Sequence, residues 1–254
     1  MRWPTGYTEW PAPAALRPAV ACLWAQVTPD GGARHTLVLP DGCSDLIWEP
    51  GTGAYLAGPD TGPMPTDMAP GTVILGARFR PAAGGPALGL PLHHLRDQRV
   101  GLRELLPAEA RQLPGSLAPA DAAARLLAVT AALVTGSTPD RLVGHAVRGL
   151  CDPRARTDAI AADVGLSERQ LRRRCQDAIG YGPKTLQRVL RFRRFVSRID
   201  AGGGQPAATL DLAALAAEAG YADQAHLTRE CGQFAGLTPL GLIRQRVPDL
   251  LEVI

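Results

Sequence analysis

The apolar positions fall into two regimes along the chain. Through the first ~95 residues they come in short runs closed by proline, glycine or aspartate: VACLWAQV (20–27), HTLVLP (35–40), SDLIWEP (44–50), AYLAGP (54–59) and TVILGARF (72–79). Runs of this length between turn residues predict β-strands. Pro29-Asp30-Gly31-Gly32, Pro40-Asp41-Gly42 and Pro50-Gly51 recur at the spacing of turns in a compact sheet, sandwich or barrel. From Val100 onward the spacing becomes helical, through ELLPAEARQL (104–113), DAAARLLAVTAALV (121–134) behind the start signal Ala118-Pro119, and Pro139 to Leu150. Cys151-Asp152-Pro153 marks a boundary, and the remainder reads as helices joined by short glycine-containing turns. The expected fold class is α+β: a β-rich, barrel- or sandwich-like domain over 1–98, a helical connector over 99–151, and an all-α domain over 152–254.

The helical part contains a repeat. Leu171, Cys175, Gly180 and Pro183 are matched, each 56 residues later, by Leu227, Cys231, Gly236 and Pro239, and similar leads stand ahead of both sets, AADVGLS (161–167) and AAEAGYAD (216–223). Each copy has an alanine-rich helix, a glycine suited to a left-handed turn (Gly165, Gly220), an N-cap (Ser167, Asp223) and a second helix. That is a helix-turn-helix layout, in which the second helix is left exposed on one side and can enter a major groove.

Charge sharpens this picture. The chain carries 27 Lys+Arg against 24 Asp+Glu, a net of only +3. Residues 1–150 hold 12 basic and 12 acidic side chains, whereas 151–254 hold 15 and 12, so the whole excess is C-terminal. Between Arg169 and Arg198 nine arginines and Lys184 face a single acid, Asp177, a net of +9 that marks a polyanion-binding surface. On a helical wheel Arg169, Arg172, Arg173 and Gln176 share one side, opposite Leu171, Cys175 and Ala178. Arg174 falls on a flank suited to a phosphate. In the second copy Leu227, Cys231 and Phe234 form the apolar stripe, and Ala225, Thr228 and Arg229 take the places of Arg169, Arg172 and Arg173. Arginine can make two hydrogen bonds to guanine, and a threonine or alanine methyl can touch the thymine methyl.

These residues carry a family resemblance. AADVGLSERQLRRRC with GYGP, and LAAEAGYADQAHLTREC with AGLTP and IRQR, resemble the double helix-turn-helix domain of AraC/XylS-family bacterial transcription regulators. The resemblance implies that both recognition helices enter successive major grooves, held apart by a linker helix at about Lys184–Ile199. Arg169, Arg172 and Arg173, with Gln224, Ala225, Thr228 and Arg229, are the expected base readers. Ser167, Arg174, Lys184, Arg188, Arg191 and Arg194 are the expected phosphate contacts. The sequence departs from the family at Cys175 and Cys231, where phenylalanine is usual, and the segment Ala201–Ala208 (AGGGQPAA) is a flexible composition for a fixed spacer. A cysteine at these sites packs as a small apolar residue.

LPDGCSDLIWEP, AGPDTGP and LGARFRP resemble the N-terminal domain of a subset of the same regulators. Family analogy gives that domain a small-molecule effector and a part in homodimer formation, and gives the whole protein RNA polymerase as a further candidate partner beside double-stranded DNA. The scarce aromatics Trp24, Trp48, Tyr55 and Phe79 are the candidate pocket walls. A competing reading is a cysteine-based or metal-dependent enzyme or sensor, using Asp41, Cys43, Asp45, His93 and His94, whose basic helices dock an acidic partner. No triad, phosphate loop or metal-ligand spacing supports it; Pro40-Asp41-Gly42 is a good turn that Asp45 can cap. Neither a catalytic activity, a metal nor a cofactor is expected. Five scattered cysteines predict free thiols. With no signal-like start and no apolar run near ~20 residues, the expected location is the cytoplasm, with no membrane partner.

Overall fold

The computed structural model describes residues 3–32, 34–201 and 211–246. Beyond Ala201, the glycine-rich segment lies outside the described residues.

The N-terminal part is a β-rich assembly with helices packed on one face of its main sheet. Strands β1 (Gly6–Pro11), β2 (Val20–Val27), β4 (Ser44–Glu49), β5 (Gly53–Ala57), β7 (Val73–Phe79) and β8 (Arg99–Gly101) form one antiparallel sheet in the order β1-β2-β7-β4-β5-β8. Strands β3 (Arg34–Val38) and β6 (Met64–Met68) pair separately as a ribbon. No closed barrel forms among the described residues. β7 lies between β2 and β4, and its near-continuous apolar run VILGARF suits a strand covered on both faces.

The two faces bury different things. On one, Leu46, Trp48, Leu75, Ala77 and Phe79 pack with Ala122, Leu126 and Val129 of helix α4 (Pro119–Thr135) and with Ala87 and Leu88 of α1 (Gly84–Leu88). On the other, Ile47, Ala57, Ile74 and Met68, the last from the ribbon, form a smaller cluster against which Trp24 and Tyr55 pack. Period-2 alternation within the strands produces the split, since Ile47 and Trp48 are neighbours in sequence and point opposite ways.

The connector divides between the two domains. Helices α2 (Leu102–Leu105), α3 (Pro107–Ala110) and α4 lie on the N-terminal core, whereas Val143, Ala146 and Leu150 of α5 (Arg141–Leu150) are buried in the C-terminal core. That core also holds α6 (Thr157–Asp163), α7 (Glu168–Ile179), α8 (Pro183–Ala201), α9 (Leu212–Ala219), α10 (Gln224–Ala235) and α11 (Pro239–Arg246). The repeat is therefore structural: α6 and α7 form one helix-turn-helix, α9 and α10 the other, and α8 joins them. Gly165 and Gly220 take left-handed φ values of 68° and 92° at the two turns. Gly220 is also pressed against Pro153, whose Cβ would stand 2.3 Å from any added side chain, so alanine is excluded there twice over.

The domains meet at one end of the sheet. The turn at Asp41–Cys43, helix α1 and a 3-10 turn at Leu92–Leu95 pack against α7 and α8. A Cβ on Gly85 would lie 2.5 Å from the Asp177 carbonyl, which shows how closely α1 approaches α7. The Tyr181 ring is almost fully buried here, its hydroxyl next to Gly42. The Asp41 carboxylate is the polar centre of the junction: Oδ1 accepts from the Cys43 amide at 2.8 Å, and Oδ2 lies 3.5 Å from Arg78 Nε and 3.4 Å from Arg193 Nη1 of α8. Asp41, not Asp45, thus caps the turn. Asp45 faces the sheet, where it accepts from Trp24 Nε1 at 2.6 Å and Arg78 Nε at 3.2 Å.

Candidate nucleic-acid interface

Helix α7 begins with a capping box. Ser167 Oγ accepts from the Gln170 amide and Gln170 Oε1 accepts from the Ser167 amide. Leu171, Cys175, Ala178 and Ile179 are buried, while Arg169, Arg172 and Arg173 stand exposed on the opposite side. Helix α10 repeats this. Asp223 Oδ1 accepts from the His226 amide at 2.6 Å, Leu227, Cys231 and Phe234 are buried, and Gln224, Ala225, Thr228 and Arg229 are exposed. Both helices therefore turn the expected reading faces to solvent.

The arginines outside those faces are engaged internally. Arg174 pairs with Asp140, the N-cap of α5, at 2.8 Å. Arg188 Nε donates to Glu230 Oε1 at 2.8 Å, and Arg191 lies 3.9 Å from the same oxygen and over the Tyr221 ring. Arg194 Nη1 donates to the Ala219 carbonyl at 2.7 Å, and Nη2 to that of Cys151. Arg174 thereby ties α7 to α5, and the other three brace α8 against α5, α9 and α10. Sequence spacing concealed this, because their partners lie 34, 42 and 25 residues away. Ser167 is likewise occupied as a cap. Among the described residues, Arg169, Arg172, Arg173 and Lys184 have no acidic partner within ion-pair distance.

Glu230 was not singled out by sequence and is the residue that ties the second unit to the linker. It is 3% exposed and receives Arg188, with Arg191 and His226 close by. Burying a carboxylate costs free energy unless cations surround it. A glutamate inside an otherwise apolar stripe was the available signal.

The four candidate pocket aromatics do not line one cavity. Trp48 and Phe79 are fully buried on the helix-covered face, with Trp48 Nε1 donating to the Pro114 carbonyl at 3.0 Å, whereas Trp24 and Tyr55 lie on the face under the ribbon. The candidate enzymatic residues also separate into structural roles, Asp41 and Asp45 as above and His93 beside Asp177 of α7, with 3.3 Å between Nδ1 and Oδ1. No group of three or more His, Cys, Asp or Glu suited to a metal ion occurs among the described residues. Cys175 and Cys231 are completely buried, and burial pushes each thiol up to about 12. No described helix is long and apolar enough to cross a membrane.

Comparison with known proteins agrees with this geometry. Residues 160–245, which hold both units and the helix between them, match the model of a helix-turn-helix domain (HTH_18). Residues 160–245 thus form a helix-turn-helix domain, the stretch that carries the AraC/XylS resemblance. Residues 8–101 match a domain of unknown function (DUF6597). Among solved structures the chain is similar to ToxT from Vibrio cholerae O395, at 9% identity and a TM-score of 0.44, covering 91% of this chain and 98% of that one. It is also similar to unsaturated fatty acid-bound ToxT of strain SCE256, at 8% identity and a TM-score of 0.40, with 94% of each chain covered. No curated protein sequence matches the chain. Helices α7 and α10, whose exposed faces are described above, both lie inside the matched residues.

Proposed function

We propose that the protein is a sequence-specific transcription regulator that reads one operator with two recognition helices. The observation that carries this reading is the sorting of the cations. Those on the outward face of α7, with Lys184 at the start of α8, have no acidic partner among the described residues, while Arg174, Arg188, Arg191 and Arg194 are spent on holding the helices in place. Arg169, Arg172 and Arg173 read bases from the first helix, and Gln224, Ala225, Thr228 and Arg229 from the second. Lys184 contacts the phosphate backbone. The four bracing arginines set the spacing and orientation of the two units, as phosphate-positioning groups would from outside.

Effector control belongs to the N-terminal domain in this reading. Trp48 and Phe79 are consumed by the core, which leaves the ribbon-side face. There Trp24 and Tyr55 stand over an apolar floor, with Asp45 and Arg78 as the polar element. A thermal-shift screen of small molecules, repeated on Trp24→Ala, checks this placement: a stabilising compound should lose its effect in the variant.

Electrophoretic mobility shifts on fragments of the protein's own upstream DNA test the main reading. Retention of one fragment at salt that removes bulk DNA is expected. Arg173→Ala should weaken that specific complex by about 1–3 kcal/mol while changing binding to unrelated DNA far less. Equal loss on all sequences would remove Arg173 from the base-reading set.

A further inference from the structure

The basic cleft beside α7 is not made by the helix-turn-helix domain alone. It has a volume of about 510 Å³ and is lined by Arg169, Arg172 and Lys184, by Glu168 and Gln176, and by Arg96 of the N-terminal domain. Four cations thus face one carboxylate. Arg96 is exposed and has no acidic partner among the described residues.

Its position is fixed from both sides. Before it, the 3-10 turn Leu92–Leu95 packs on α7, with Leu92 and Leu95 buried. After it, Asp97 takes a left-handed φ of 59°, which a non-glycine residue adopts at a cost, and is held there by Thr61, whose amide donates to Oδ1 at 2.6 Å and whose hydroxyl donates to Oδ2 at 2.8 Å. A long cation on a rigid turn, aimed at the rim of a recognition helix, is preorganised for an anion on that helix's ligand.

We propose that Arg96 is a DNA contact supplied by the N-terminal domain, holding a backbone phosphodiester beside the first half-site together with Lys184. This rests on the regulator reading and adds to it. The operator is gripped by both domains, so a change in how the N-terminal domain sits on α7 alters DNA affinity directly.

The salt dependence of binding by the full chain tests it. Each phosphate neutralised contributes about 0.9 to the slope of log K against log salt. Arg96→Ala should reduce the slope by about that amount on specific and unrelated DNA alike. Arg96→Lys should keep it, and so should Arg103→Ala, which removes an exposed arginine on α2 away from the cleft. An unchanged slope in Arg96→Ala, with the wild type still retaining its own upstream fragment, overturns the Arg96 contact and leaves the regulator intact. Equal slope losses in Arg96→Ala and Arg103→Ala also overturn it, since they report diffuse charge. A wild type that retains no DNA at any salt overturns both readings.

Discussion

Of the four arginines between Ser167 and Cys175, three have no acidic partner among the described residues and the fourth, Arg174, is tied to Asp140. One helical position separates the two fates. Arg173 points out with Arg169 and Arg172, whereas Arg174 lies on the flank next to the N-cap of α5. Cys175 follows on the buried side, and its chemistry is the plainest prediction at this scale. Of the five thiols only Cys151 is exposed. The native protein should therefore show one fast-reacting thiol with an aromatic disulfide reagent at pH 8, absent from Cys151→Ser; two or more fast thiols would contradict the packing. The pH dependence has a definite sign. Cys175 and Cys231 stay protonated in the folded chain up to about pH 12, while an unfolded cysteine ionises near ~8.5. Folded pKa values raised in this way give stability that is complete below ~8.5 and is lost as pH rises toward 12. Urea melts should show a midpoint falling from pH 8.5 to 10, and falling less steeply in Cys175→Ala/Cys231→Ala.

At the scale of elements, α8 is a strut whose outer surface is fastened by ion pairs and whose inner surface is Leu186, Val189, Phe192, Phe195 and Ile199. At about 1.5 Å per residue its 19 residues span ~28 Å between the two helix-turn-helix units. Glu230→Gln should cost about 1–3 kcal/mol in a urea melt, because Arg188 and the more buried Arg191 lose their charged partner. Operator binding should weaken more than binding to a single half-site, since the second helix loses its fixed seat. Helices α7 and α10 and their caps were legible in the sequence because the 56-residue repeat shows each position twice. Strands β1 and β6 were not, since GYTEWP and MPTDM lie at an edge or in the ribbon and are broken up by Glu9, Pro65 and Asp67. The internal roles of Arg174, Arg188, Arg191 and Arg194 were illegible for another reason. A charged side chain's partner is decided by tertiary packing, and a wheel sees only its own helix.

At the scale of the whole molecule, the PDGC turn, read from sequence as a turn with a competing nucleophile or metal reading, is a polar fastening between the domains. Asp41 holds Arg193 of the strut and Arg78 of the sheet with one oxygen and the Cys43 amide with the other. The carboxylate can therefore be weakened in two ways that leave the turn intact. Asp41→Asn keeps an oxygen for the Cys43 amide and removes the charge, and Arg193→Ala removes the partner from a half-exposed site on α8. The exposed pair alone is worth at most about 1 kcal/mol, so neither change should unfold either domain. Each should loosen the docking of the Leu92–Leu95 turn on α7, and with it the placement of Arg96. Hydrogen exchange should quicken at Leu92–Asp97 and at Ile179–Gly182 in both variants, without change in β7 or in α10. The double variant should add little to either single one, because both remove the same contact. Faster exchange throughout the C-terminal core would instead show that Arg193 supports the strut itself, and unchanged exchange at the junction would show that apolar packing around Tyr181 holds the domains together without the ion pair.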